Sequence, residues 1–121
     1  MIENKLLTVD IEPIFTAPGD PGDLNVQSAV TTMIFCNVAD AEDSSIPVTE
    51  TGTTASIDVY LVKAGQSADP LVNAIIKNML VPAGETVFFD TERVVLGAGD
   101  SIQARANNNS LIVATVSVLP V

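Results

Sequence analysis

Alternation of apolar and polar residues with a period of two is the feature that most narrows the folds open to this chain. It is clearest in residues 54–64, where two sets of side chains point to opposite sides: Ile57, Val59 and Leu61 on one, and Ser56, Asp58 and Tyr60 on the other. A period of two matches a β-strand with one buried face, whereas helices repeat every 3.6 residues. The segment is therefore predicted to be a strand.

Similar patterns recur along the chain. Residues 26–38 are predicted to be a central strand because both of their faces carry apolar groups, with Val30 and Ile34 on one face and Met33 and Phe35 on the other. Residues 71–81 also fit a helical stripe, but their β-branched content and Pro82 favour a strand over 75–81. Further strands are predicted in four segments: 85–90, 93–96, 100–106 and 111–119.

A short turn motif separates several of these strands. Ala-Gly followed by a polar residue and a hydroxyl residue occurs at 64–67, 83–86 and 98–101. Glycine adopts a positive φ without steric cost, so these sites are predicted to be tight turns at strand ends. Short strands joined by such turns predict an all-β protein, an antiparallel β-sandwich or a small barrel.

The N-terminal 25 residues differ from the rest of the chain. Residues 6–12 could form a short strand, and Pro13, Pro18 and Pro21 follow with two glycines. Closely spaced prolines interrupt β-ladders and favour extended backbone. We interpret 1–25 as an extended N-terminal arm or lead-in and 26–121 as one β-sandwich domain. A first strand and an ordered loop on that same domain explain the pattern equally well.

The charge balance limits the partners of the chain. Fifteen acidic and five basic residues give a net charge of −10. Such a chain repels phosphate backbones and anionic lipid surfaces, so neither nucleic acid nor membrane is expected as a partner. The single cysteine excludes an intramolecular disulfide, and the start of the chain lacks the pattern of a signal peptide. Synthesis and folding in a reducing cytoplasm are therefore expected.

Catalytic groups are scarce, and we expect no enzymatic activity, cofactor or metal. The chain contains no histidine, which removes the usual general base and the commonest zinc ligand. Cys36 is interpreted as a small core residue because it lies in the middle of a predicted strand without a histidine partner. Two acidic groups, Asp20 with Asp23 and Asp40 with Glu42 and Asp43, lack EF-hand spacing and are interpreted as solvated loops.

Four segments between residue 31 and residue 121, about three-quarters of the chain, form a recognisable set: TTMIFCN (31–37), IDVYLV (57–62), IKNMLVPAGET (76–86) and LGAGDSI (96–102). Together they resemble a β-rich module common in virion proteins of tailed bacteriophages. Such modules place a strand ending in Cys-Asn first, then a Val-Tyr-Leu-Val strand, a Pro-Ala-Gly-Glu-Thr turn and a Gly-Asp-x-Ile strand. They occur in head decorations, in neck and tail parts and in fibre attachments.

The resemblance implies a structural protein of the virion. Small size and strong acidity favour a capsid decoration (cement) protein that binds the major capsid protein on the outer shell, bridges capsid subunits and forms a homo-oligomer, with a trimer as one form. Alternatives are a neck, tail or baseplate component, or a receptor- or glycan-binding module. Candidate partner contacts are the apolar residues of the predicted arm, Leu6, Leu7, Val9 and Ile11.

Overall fold

The computed structural model describes residues 1–39, 53–89 and 94–120, and these residues form nine β-strands and no helix. The strands are β1 (Ile2–Leu6), β2 (Glu12–Thr16), β3 (Gln27–Asn37), β4 (Ala55–Val62), β5 (Ala74–Val81), β6 (Thr86–Phe89), β7 (Val94–Gly97), β8 (Ser101–Ala106) and β9 (Ile112–Pro120). The prediction of an all-β protein is confirmed. Each strand predicted after residue 26 is present.

The strands form two antiparallel sheets. Sheet A has the order β1-β9-β3, with β6 and β7 both paired to β3, and sheet B has the order β2-β8-β4-β5. Because β9 pairs with Ser28 through Asn37 of β3, β6 and β7 must share the other side of β3, one after the other. The two sheets pack face to face, so the fold is a sandwich rather than a barrel.

The path of the chain through the sheets is that of a jelly roll. If β6 and β7 are counted as one interrupted strand, eight strands follow the jelly-roll order, and the chain changes sheet at every step except from β4 to β5. The first and last strands, β1 and β9, are neighbours in sheet A, and their registers join Ile2 to Ser117 and Leu6 to Val113. The sheet therefore depends on contacts between the two ends of the sequence.

The inner faces of both sheets form the core. Branched aliphatic and alanine side chains fill most of it, and Phe35, Met33, Ile57 and Ile102 are among the largest buried groups. The predicted faces of β3 are correct for Met33 and Phe35, which point inward, but wrong for Val30, which is also in the core. A bulge between Val30 and Thr32 inserts one residue, and an extra residue reverses the alternation.

The predicted N-terminal arm is not confirmed. The described residues of 1–25 contribute β1 to sheet A and β2 to sheet B, as the alternative of an ordered first strand anticipated. The predicted strand at 6–12 is wrong, since most of that segment connects the two sheets. Pro13 lies within β2, and the strand tolerates it because β2 is at the edge of sheet B.

The three predicted glycine turns are confirmed. Gly65, Gly84 and Gly99 have φ angles of 80°, 77° and 84°, a region that side-chain-bearing residues rarely adopt. The Gly99 turn is also packed against the proline-rich segment, because the Gly99 N–H donates to the Ala17 carbonyl and the Ala17 N–H donates to the Asp100 carbonyl. This turn therefore fixes residues 17–22 to the sandwich.

Alanine at two of these glycines should separate backbone strain from packing. Gly65→Ala meets no atom within 4 Å, so only its φ opposes it, at a cost of about 1–2 kcal/mol. At Gly99 the new Cβ would lie 2.9 Å from the Ala64 Cβ and 3.1 Å from the Pro21 Cγ. We expect Gly99→Ala to cost about 1–3 kcal/mol more, measured by urea unfolding. Equal losses for the two variants would contradict this packing.

Candidate interaction surface

Among the described residues, four rows of uncharged side chains build the outer face of sheet A. Cross-strand pairing places Leu6 beside Val113, Val113 beside Cys36, and Cys36 beside Thr86. The remaining rows, from the same registers, are Asn4–Thr115–Ile34–Phe88, Ile2–Ser117–Thr32 and Leu119–Ala29–Val95. These positions alternate along each strand with residues that point into the core or toward sheet B.

We call these fourteen positions the charge-free face, because none of them is Asp, Glu, Lys or Arg. In a chain with 15 acidic residues, such a face is not expected from composition. Ile2 and Phe88 are about two-thirds exposed, and Leu6, Val95 and Leu119 are roughly half exposed. Four strands at ~4.8 Å spacing make the face about 15–20 Å wide, which approaches the size of functional apolar patches on monomers.

Hydrogen bonds hold the charge-free face in one arrangement. The Thr115 hydroxyl donates to the Asn4 side-chain oxygen at 2.8 Å, and the N-terminal ammonium of Met1 donates to the Val118 carbonyl at 2.9 Å. The Thr31 hydroxyl, in the bulge, donates to the Ser117 carbonyl at 3.2 Å. A surface fixed before binding loses little conformational entropy when a partner docks.

The structure separates the four predicted contact residues. Leu6 belongs to the charge-free face. Leu7 is 1% exposed and lies in the core, so the structure corrects its assignment as a partner contact. Val9 and Ile11 lie in the connection between β1 and β2, where the Val9 N–H donates to the Asn109 side chain. Partner binding through Leu6, Val9 and Ile11 stays a prediction.

One carboxylate beside this connection has a perturbed pKa. The Thr8 hydroxyl donates to a Glu12 carboxylate oxygen at 2.7 Å, and the Lys5 ammonium lies 3.4 Å from the other oxygen. The hydrogen bond first, and then the positive charge of Lys5, lower the pKa of Glu12 below its ordinary value of 4.5. The ionised form is the one these contacts favour, so their contribution is present at neutral pH and is lost as pH falls through the lowered pKa.

A second polar cluster, on the outer side of sheet B, is structural. The buried Asp58 carboxylate accepts the Asn78 N–H at 2.8 Å and pairs with the Lys77 ammonium and the Arg105 guanidinium, each at 3.2 Å. Asn78 has a φ of 54° in a bulge opposite Asp58. Asp58 therefore satisfies the backbone of an irregular edge strand, and its lone pairs are occupied.

Among the residues that the structure describes, the acidic side chains do not form a metal site. Within residues 1–39, 53–89 and 94–120, no three His, Cys, Asp or Glu side chains converge as metal ligands. Asp20 and Asp23 lie in an exposed loop, where Asp23 accepts the Asn25 N–H. The other predicted acidic loop, with Asp40, Glu42 and Asp43, lies outside the described residues.

The central residues of the charge-free face were not among the predicted contacts. Phe88, Ile34 and Val113 come from three strands distant in sequence, and only the pairing register makes them neighbours. The sequence nevertheless contains a pattern that could have indicated this surface, since the outward positions of β3 and β9 are all uncharged.

Searches with this chain match no protein-family model, no curated protein and no solved structure. Among the described residues, no helix is long and apolar enough to cross a membrane.

Proposed function

We propose that this chain is a non-enzymatic structural protein of a tailed-phage virion, a capsid decoration protein that sits on the outer shell. The observation that carries the proposal is the charge-free face on a chain of net charge −10. Like charges placed in an interface oppose association, whereas uncharged apolar groups gain free energy when they are removed from water. The face is therefore the surface best suited to contact the major capsid protein.

The rest of the molecule suits an outward position on the shell. The acidic residues that the structure describes lie outside the charge-free face, so the exposed ones stay hydrated when that face is covered. Burial of each large apolar side chain contributes about 1.5–3 kcal/mol. Many copies on a symmetric shell, or a homo-oligomer that bridges capsid subunits, add avidity without a tight single contact.

The fold is compatible with this role and does not by itself decide it. Jelly rolls build viral capsid proteins and also lectins, and function must be argued from the site. A receptor- or glycan-binding role is less favoured because sugars stack on exposed aromatic rings. Phe35 and Tyr60 are buried, and among the described aromatic side chains only Phe88 is mainly exposed, on the charge-free face.

The copy number and position of the protein on the particle test the proposal. Quantitative composition of purified virions that encode the chain should give hundreds of copies, and electron microscopy should place them outside the head. Six or twelve copies at the neck, tail or baseplate would instead support the alternative virion role. Absence of the protein from purified particles would contradict both.

A further inference from the structure

The loop before β5 presents an apolar knob. Leu71 and Val72 at its tip are 94% and 73% exposed. Hydrogen bonds fix the loop: the Leu71 N–H donates to the Asp69 carboxylate at 2.8 Å, the Asp69 N–H donates to the Asn73 side chain at 2.8 Å, and the Asn73 amide donates to the Ser67 carbonyl at 3.2 Å. Because hydrogen bonds already fix this turn, little conformational entropy would be lost when a partner covers its two exposed apolar side chains.

A cleft lies directly beside this knob. It has a volume of about 410 Å³, and its lining includes Leu61, Ala74 and Ile75 together with Val72. A second cleft of about 210 Å³ shares Leu61 and Lys63 with the first. A cavity of roughly 150 Å³ already accepts a benzene-sized group, so the larger cleft has room for a leucine side chain.

The charges around the knob and the cleft are complementary. Lys63 lines both clefts, and Asp69 stands two residues from the tip of the knob. Within the described parts of the chain, Lys5, Lys77 and Arg105 are engaged in ion pairs, whereas Lys63 has no ion-pair partner. A cation of this kind can pair with a carboxylate of a docking molecule.

We propose that a second copy of this chain docks here, with Leu71 of each copy in the cleft of the other and Asp69 of each copy beside Lys63 of the other. Because Val72 lines the cleft and Leu71 is the next residue, knob and cleft lie side by side. In the proposed dimer, one two-fold axis relates the copies, so that the same two features of each copy meet in a self-complementary contact. The larger cleft, which receives Leu71, contains no residue of the charge-free face, so the proposal does not depend on capsid binding.

Sedimentation velocity of the full chain over a concentration series tests the proposal, with Leu71→Asp compared with Phe88→Glu. Each variant replaces an exposed apolar residue and adds one negative charge. The unmodified chain should form a dimer, Leu71→Asp should weaken it by about 10- to 100-fold in Kd, and Phe88→Glu should leave it unchanged. Circular dichroism confirms that each variant is folded.

A charge series gives an independent readout. In the proposed dimer, Lys63→Glu places a negative charge beside Asp69 of the partner copy. The repulsion should weaken the dimer about fivefold or more. Adding Asp69→Asn, which keeps an oxygen to accept the Leu71 N–H, should recover much of that loss. A monomer at every concentration, an assembly other than a dimer, or a dimer that persists in Leu71→Asp would overturn the proposal.

Discussion

Glutamate in place of Phe88 should abolish binding to the capsid while the sandwich remains folded. Phe88 is 64% exposed on β6 and stands beside Ile34 on the charge-free face. A partner that covers this position would have to remove a carboxylate from water without a compensating charge, a penalty of several kcal/mol. Binding to particles that lack the protein, measured by co-sedimentation, should weaken more than 100-fold.

Leu80→Glu is the matched control for this variant. Leu80 is 65% exposed, so the substitution changes the same charge at nearly the same exposure, but it lies on β5 at the edge of sheet B. We expect Leu80→Glu to bind particles within about threefold of the unmodified chain. Equal losses for the two variants would show that net charge, rather than the charge-free face, controls attachment.

Among substitutions of polar residues, removal of the Asn37 side chain should lower the free energy of unfolding most, by about 2–4 kcal/mol. Asn37 is fully buried, its amide donates to the Val81 carbonyl at 2.8 Å and to the Thr53 carbonyl at 3.0 Å, and its oxygen accepts the Ala39 N–H at 3.0 Å. Asn37→Ala leaves these groups without their partner, and those of Val81 and Ala39 are buried, so the loss costs more than the bonds themselves contribute. Urea unfolding with linear extrapolation measures the loss.

The cause of this effect is the position of Asn37 between the sheets. It ends β3 in sheet A, yet its amide binds the last residue of β5, in sheet B. An exposed asparagine provides the control: Asn109 accepts one hydrogen bond from Val9, and Asn109→Ala should cost about 1 kcal/mol or less. Similar losses at the two positions would mean that Asn37 does not connect the sheets as described.

Local patterns were sufficient to predict the strands from β3 to β9. Each is marked by apolar alternation or β-branched content, and three of the turns between strands are marked by a glycine with positive φ. The N-terminal strands were misplaced because the alternation in residues 6–12 continues through the connection between the sheets. The bulge at Thr31 likewise has no local signal, since it is set by pairing with β9.

The candidate surface was predictable only in part, because it depends on register. Leu6 and Leu7 are adjacent in sequence and chemically identical, yet Leu6 is on the charge-free face and Leu7 is in the core. The register that joins Leu6 to Val113 spans almost the whole chain. Composition shows that the protein is acidic, but only the paired strands show which described positions share a face without charges.

The reactivity of Cys36 on the particle tests the central claim most directly. Cys36 is the only cysteine of the chain, and its interpretation as a core residue is wrong, because it lies half-buried on the charge-free face beside Val113. Its alkylation rate therefore reports on that face. If the charge-free face is seated on the capsid, the thiol of particle-bound protein should react at least tenfold more slowly than that of the free chain. Equal alkylation rates in the bound and free states would contradict the account.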